Sequence, residues 1–196
     1  MSPLNGCYEP CPAARLCRFN LIGTCSSRTD FELMRDGSFS VRRATIADYE
    51  QLCNVWEVGD ALHRQALPNI FQASIGPSQE RTKVEALIAG PQSAIFVAES
   101  SGEVIGLITI LVRIVSGPAI KVSRQYVEID NMAVKVSVQR QGVGRALIYA
   151  ANDWARQRGF TELELNVYEF NRRAKEFYRA MGFSTVFRRM RRRISD

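Results

Sequence analysis

The chain has no apolar run long enough to cross a bilayer. Its longest, around "VIGLITILV", is nine residues, against the about 20 that a spanning helix needs. No apolar signal core follows Met1, so a soluble, cytoplasmic protein is expected. Cysteine is scarce and uneven: Cys7, Cys11, Cys17 and Cys25 crowd the start, and Cys53 stands alone. An odd count at such spacing fits neither a disulfide framework nor paired zinc ligands, and no metal is expected. Histidine occurs once, at His63. Excess positive charge is also missing from most of the chain. Residues 171–196 hold nine Lys or Arg against Glu176 and Asp196, a net +7, so residues 1–170 sum to −1 within the total of +6. Nucleic acid is therefore not the expected partner. At 196 residues and 46% hydrophobic composition, one sizeable core is affordable and two comfortable domains are not.

Residues 1–38 show no sustained period and carry Pro3, Pro10 and Pro12, which reads as a poorly ordered extension before a domain at 39–196. "FSVRRAT" reads as a strand. "IADYEQLCNVWEVGDALHRQA" reads as an amphipathic helix with Ile46, Tyr49, Leu52, Cys53 and Trp56 on one face, started by Thr45 or Asp48. "PSQERTKVEALIAG" is a second helix. "AIFVAESSGEVIGLITILV" is a hairpin turning at "SSGE", and "QYVEIDNMAV" is another strand. "GVGRALIYAANDWARQRG" is the clearest helix, with Val143, Leu147, Ala150, Ala151 and Trp154 as its stripe and Gly159 as its stop. "FTELELNVY" alternates as a strand, "NRRAKEFYRAMG" is a short helix, and "FSTVFRRMRRR" reads as a closing edge strand whose arginines deter mispairing. The order β, α, α, β, β, β, α, β, α, β implies an α/β protein with a mixed central sheet flanked by helices.

"VSVQRQGVGRAL" passes from a polar loop into a helix across Gly142 and Gly144. Glycines at a helix start expose backbone N–H groups where no Cβ blocks an anion, and the helix dipole adds partial positive charge. A dinucleotide-binding turn would need a third glycine where Leu147 stands, and a triphosphate loop would need Gly-Lys-Ser/Thr. The stretch instead fits Gln/Arg-x-x-Gly-x-Gly/Ala, as Gln139-Arg140-Gln141-Gly142-Val143-Gly144. With "EIDNMAV" before it and "NRRAKEFYRAMGF" after it, the segment resembles the coenzyme A loop of the GNAT superfamily of N-acetyltransferases, over about residues 40–190.

That resemblance implies a GNAT-like acyl-CoA N-acyltransferase fold and an enzyme that moves an acetyl group from acetyl-CoA to a primary amine by direct attack in a ternary complex. Backbone N–H groups from Arg140 to Arg145 would cradle the pyrophosphate, with Arg140 or Arg145 adding charge. The pantetheine arm would pair in β fashion with Met132, Ala133 and Val134, and Asn171 would bond its far side. Tyr178 matches the tyrosine that protonates the departing thiolate. Strand alternation puts Glu128, Asp130 and Met132 on one face, and either carboxylate could take the amine's proton. His63 lies where such enzymes often shape the acceptor pocket. The acceptor, a small molecule or a protein terminus or lysine, stays open, as does homodimer formation. Alternatives are transfer of another acyl group and a coenzyme A-binding sensor without turnover.

Overall fold

The computed structural model describes residues 39–118, 120, 122–192 and 194. The expected N-terminal extension, residues 1–38, lies outside the described residues. The elements are β1 (Ser40–Arg43), α1 (Tyr49–Ala66), α2 (Arg81–Ala89), β2 (Ser93–Ser100), β3 (Glu103–Val115), β4 (Arg124–Val134), α3 (Val143–Gln157), β5 (Leu163–Leu165) and α4 (Arg172–Ala180). The five strands form one sheet in the order β1-β2-β3-β4-β5, antiparallel except for the parallel pair β4–β5. The mixed sheet expected from the sequence is present.

β3 is buried over seven consecutive residues from Val104 to Ile110, because helices cover both faces of the sheet. One face packs Ile108, Ile110, Val127 and Ile129 against Val143, Leu147, Ala151 and Trp154 of α3. The other packs Ile95, Val97 and Leu107 against Leu52, Val55 and Trp56 of α1 and Val84 of α2. Each fully buried Leu or Ile contributes about 1.5–3 kcal/mol. The α3 stripe expected from the sequence is buried along its whole length.

The start of α1 is pinned to β1 by charge. Thr45 and Asp48 both matter: Thr45 opens a short 3-10 turn, and Asp48 stands at the N-cap position of α1 with its carboxylate turned back to Thr45. The Thr45 N–H donates to Asp48 Oδ2 at 2.8 Å, and Arg42 donates to both Asp48 oxygens at 2.8 Å and to Glu99 at 2.6 Å. The Arg42 guanidinium holds the Asp48 carboxyl down at about 2.

Two expectations need correction. Residues 183–192 form no strand: Val186, Phe187 and Met190 are exposed, so the apolar half of the alternation finds no face to bury. The strand read over "FTELELNVY" shrinks to Leu163–Leu165, since only these three residues pair with β4.

Candidate functional site

The site begins where β4 and β5 part. β5 pairs with Val127, Glu128 and Ile129 and stops, whereas β4 runs on to Val134 paired with β3 alone. From Asp130 to Val134 one edge of β4 is therefore unpaired, a row of backbone groups able to take an extended partner. The parting coincides with a β-bulge. Ile129 faces Ile110 and Asn131 faces Thr109, which leaves Asp130 as the extra residue.

The bulge also corrects the expected common face of Glu128, Asp130 and Met132. Ile129 and Met132 both pack against the α3 cluster, although simple alternation would put residues three apart on opposite faces. Ala133 lies on the α1 face. Met132 thus turns away from Glu128 and toward the start of α3.

At that start the chain twists sharply. Arg140 and Gly142 both take the left-handed conformation, with φ of 65° and 89°, a conformation that is costly for Arg140. The backbone N–H groups of Arg140, Gln141, Gly142, Val143, Gly144 and Arg145 donate to no acceptor among the described residues; the first helical bond is Ala146 N–H to Gly142 at 3.0 Å. Arg140 and Arg145 are exposed and in no ion pair among the described residues. Six free donors, a helix N-terminus and two unpaired guanidinium groups suit a pyrophosphate.

Three residues of this loop also shape its packing. A Cβ on Gly144 would meet the Phe177 ring at 3.3 Å and Met132 at 3.8 Å, whereas one on Gly142 meets nothing within 4 Å. Gly144 lets α4 close onto α3, and Gly142 supplies the positive φ and leaves open space beside the N–H groups. Gln139 donates its side-chain amide to Val134 O at 3.1 Å and so ties the loop to β4.

α4 completes this side. Asn171 caps it by accepting the Ala174 N–H at 3.1 Å through Oδ1, which leaves only its amide NH2 for a ligand. Tyr178 is half-buried, packed edge-on against Phe177 and Phe183 at 5.3 and 5.6 Å. Burial pushes its hydroxyl up to about 12, so it keeps its proton at neutral pH.

The two carboxylates differ. Glu128 pairs with Arg113 and accepts from Asn166 Nδ2 at 2.9 Å. Asp130 lies 3.7 Å from Arg113, and burial raises its pKa above the ordinary value. Asp130 has the longer ion pair and the more exposed side chain, 47% against 14% for Glu128, which leaves it the freer of the two to meet an amine. His63, near the end of α1, donates Nδ1–H to Gly59 O at 2.8 Å, an assignment forced by the carbonyl. Its ring lies 5.1 to 5.7 Å from those of Phe71, Tyr168 and Phe170. The sequence did not single out Phe71, Tyr168, Phe170 or Arg113. Single aromatics in loops a hundred residues apart carry no periodic signal.

Residues 62–183, which hold the open strand edge and this helix start, match the model of the acetyltransferase (GNAT) family. The chain belongs to that family. It is similar to N-acetyltransferase family 8 member 3 of Rattus norvegicus, 32% identical over 46% of this chain and 38% of the relative. It is also similar to aminoglycoside N(6')-acetyltransferase type 1 of Klebsiella aerogenes, 30% identical over 50% of this chain and 64% of the relative. The match thus covers less than two thirds of either relative's length. A tetramutant of the BH1408 protein from Bacillus halodurans shares the fold, with a TM-score of 0.74 at 23% identity over 79% of this chain and 99% of that one. Among the described residues no metal-binding group of His, Cys, Asp or Glu occurs, and no helix is long and apolar enough to cross a membrane.

Proposed function

We propose that this GNAT domain, residues 39–196, transfers an acetyl group from acetyl-CoA to a primary amine of a small molecule or protein terminus in a ternary complex. The observation that carries the reading is the juxtaposition of six acceptor-less N–H groups at 140–145 with the unpaired β4 edge at 130–134. Phosphates would sit on the N–H array beside Arg140 and Arg145. The peptide-like arm would lie along Met132, Ala133 and Val134, and the amide of Asn171 would reach it from α4. Acetyl-CoA supplies the activated acyl group as a thioester.

The chain's own residues would manage two protons. The amine must be neutral when its nitrogen bonds to the carbonyl carbon, and Asp130 takes the proton directly or through water; Glu128 is the second candidate. As the carbon–sulfur bond breaks, Tyr178 gives its hydroxyl proton to the sulfur. Asp130 has its pKa raised toward a useful base, and Tyr178 stays protonated until about pH 12. A cytoplasmic setting belongs to the same proposal and rests on the sequence reading.

The test is release of free thiol from acetyl-CoA across a panel of amines, with the acetylated amine identified by mass spectrometry. Amine-dependent release supports transfer. Coenzyme A binding without release from any amine would leave a binding module, and no binding would overturn the site.

A further inference from the structure

The arginine-rich stretch after α4 finds no place in the fold. Residues 184–192 form no helix or strand, and beyond the Phe183 N–H they make no backbone hydrogen bond among the described residues. Val186, Phe187, Met190 and Ile194 are 71% to 93% exposed. Large apolar side chains left together in water mark a surface that something else covers.

Their spacing fits a helix. Each helical residue turns by about 100°, which places Val186, Phe187, Met190 and Ile194 within an arc of about 100°, with Phe183 inside the same arc. Ser184, Thr185 and all five arginines from 188 to 193 fall outside it. Phe183 is already docked, its ring 5.6 Å from that of Tyr178 and packed against the α3 cluster. The apolar stripe therefore starts on the domain and runs out into solvent. A helix of about eleven residues is marginal in water without an apolar partner, which accounts for its absence in the free chain.

Charge and apolar content together select the partner. Residues 183–195 hold five Arg and no Asp or Glu. Glu169, whose carboxyl is lowered first by its hydrogen bond to Lys175, also feels the charge of Arg188. Even with Glu169 set against Arg188, four positive charges are in surplus. A nucleic acid would meet that charge but bury none of Val186, Met190 and Ile194, and Phe187 alone could stack on a base. A second copy of the chain would bring the same positive charges to the contact. An anionic lipid surface answers both features, with phosphates for the arginines and acyl chains for the stripe. No helix among the described residues is long and apolar enough to cross a bilayer, and a helix lying on one needs no such length.

We propose that residues 184–194 fold into a helix on an anionic lipid surface, with Val186, Phe187, Met190 and Ile194 among the acyl chains and the arginines at the level of the phosphates. The root of the segment lies beside Tyr178 at Phe183 and within reach of Glu169 at Arg188. Docking therefore keeps the α4 end of the candidate site next to the lipid. The inference concerns where the domain works and is independent of the acetyl-transfer reading.

The test is flotation of the full chain with vesicles of phosphatidylcholine alone and of phosphatidylcholine with about 30% phosphatidylserine. The anionic vesicles should bind at least about tenfold more tightly than the neutral ones, with a gain of helical signal in circular dichroism. Two variants dissect the contact, and all four positions are exposed, so neither removes packing. Phe187→Ser with Met190→Ser should weaken binding at least about tenfold. Arg189→Gln with Arg192→Gln should weaken it about 25-fold, about fivefold for each charge. Equal binding to both kinds of vesicle, binding that survives Phe187→Ser with Met190→Ser, or binding without a gain of helix would overturn the proposal. Absence of vesicle binding would overturn it too. In that case a DNA duplex bound instead would assign the arginines to nucleic acid, and a dimer in sedimentation that Phe187→Ser with Met190→Ser dissolves would assign the stripe to a second copy.

Discussion

Replacing Tyr178 by Phe removes one hydroxyl and keeps the ring, with its edge contacts to Phe177 and Phe183. That hydroxyl forms no hydrogen bond among the described residues, so its loss strands no partner and stability should change by less than about 0.5 kcal/mol. Coenzyme A affinity should hold as well, since the N–H array lies on a different element. Turnover should fall. A positioned general acid contributes about 10²–10⁴-fold, or about 3–5 kcal/mol of barrier. Tyr178 is only half-buried, so water can partly replace it, and a loss of about 10²-fold is expected. Burial holds the hydroxyl near 12, so the parent should show no alkaline decline from this group below about pH 11. The assay is single-turnover thiol release across pH, with melting temperature and calorimetry on the same samples. Unchanged single-turnover rates in a folded, coenzyme A-binding Tyr178→Phe would refute the acid role.

Asp130→Asn should lower kcat/KM more than Glu128→Gln, most on the acid side of the pH profile, because Arg113 and Asn166 already occupy Glu128; the reverse order would return the base to Glu128. Gly142→Ala places a Cβ in open space but at a φ of 89°, so it should cost about 1–2 kcal/mol and weaken coenzyme A binding. Gly144→Ala presses on Phe177 and should leave coenzyme A affinity nearer the parent's by calorimetry. Asp48→Asn removes a carboxylate whose folded pKa, about 2, lies below its ordinary 3.8. A depressed folded value stabilises above the unfolded pKa and fades as pH falls. The variant should thus be about 2 kcal/mol less stable at pH 7, with the gap shrinking by about 1 kcal/mol by pH 3. Urea denaturation at the two pH values checks this, and a gap that does not shrink would assign the loss to the cap alone.

Periodicity was enough to find the helices and the long strands, because burial on one face or both leaves a regular mark: the α3 stripe and the apolar β3 run are both buried as read. The glycine turn was legible for a related reason, since a left-handed Gly142 and a helix start are local events. Three features were not legible. The bulge at Asp130 is set by pairing with Thr109 and Ile110 on another strand, so alternation along β4 placed Met132 wrongly. Residues 183–192 alternate, yet a strand needs a neighbouring strand, and none takes them. The rings of His63, Phe71, Tyr168 and Phe170 come together only because the end of α1 and the connection after β5 meet in space, which no local pattern encodes.

The most direct measurement is amide chemical-shift mapping of the 15N-labelled protein on adding coenzyme A. The site described here predicts that the largest shifts fall on the amides of residues 140–145, whose N–H groups gain acceptors, and on residues 132–134 along the open edge of β4. Binding whose shifts lie elsewhere, or saturating coenzyme A that moves none of these amides, would contradict it.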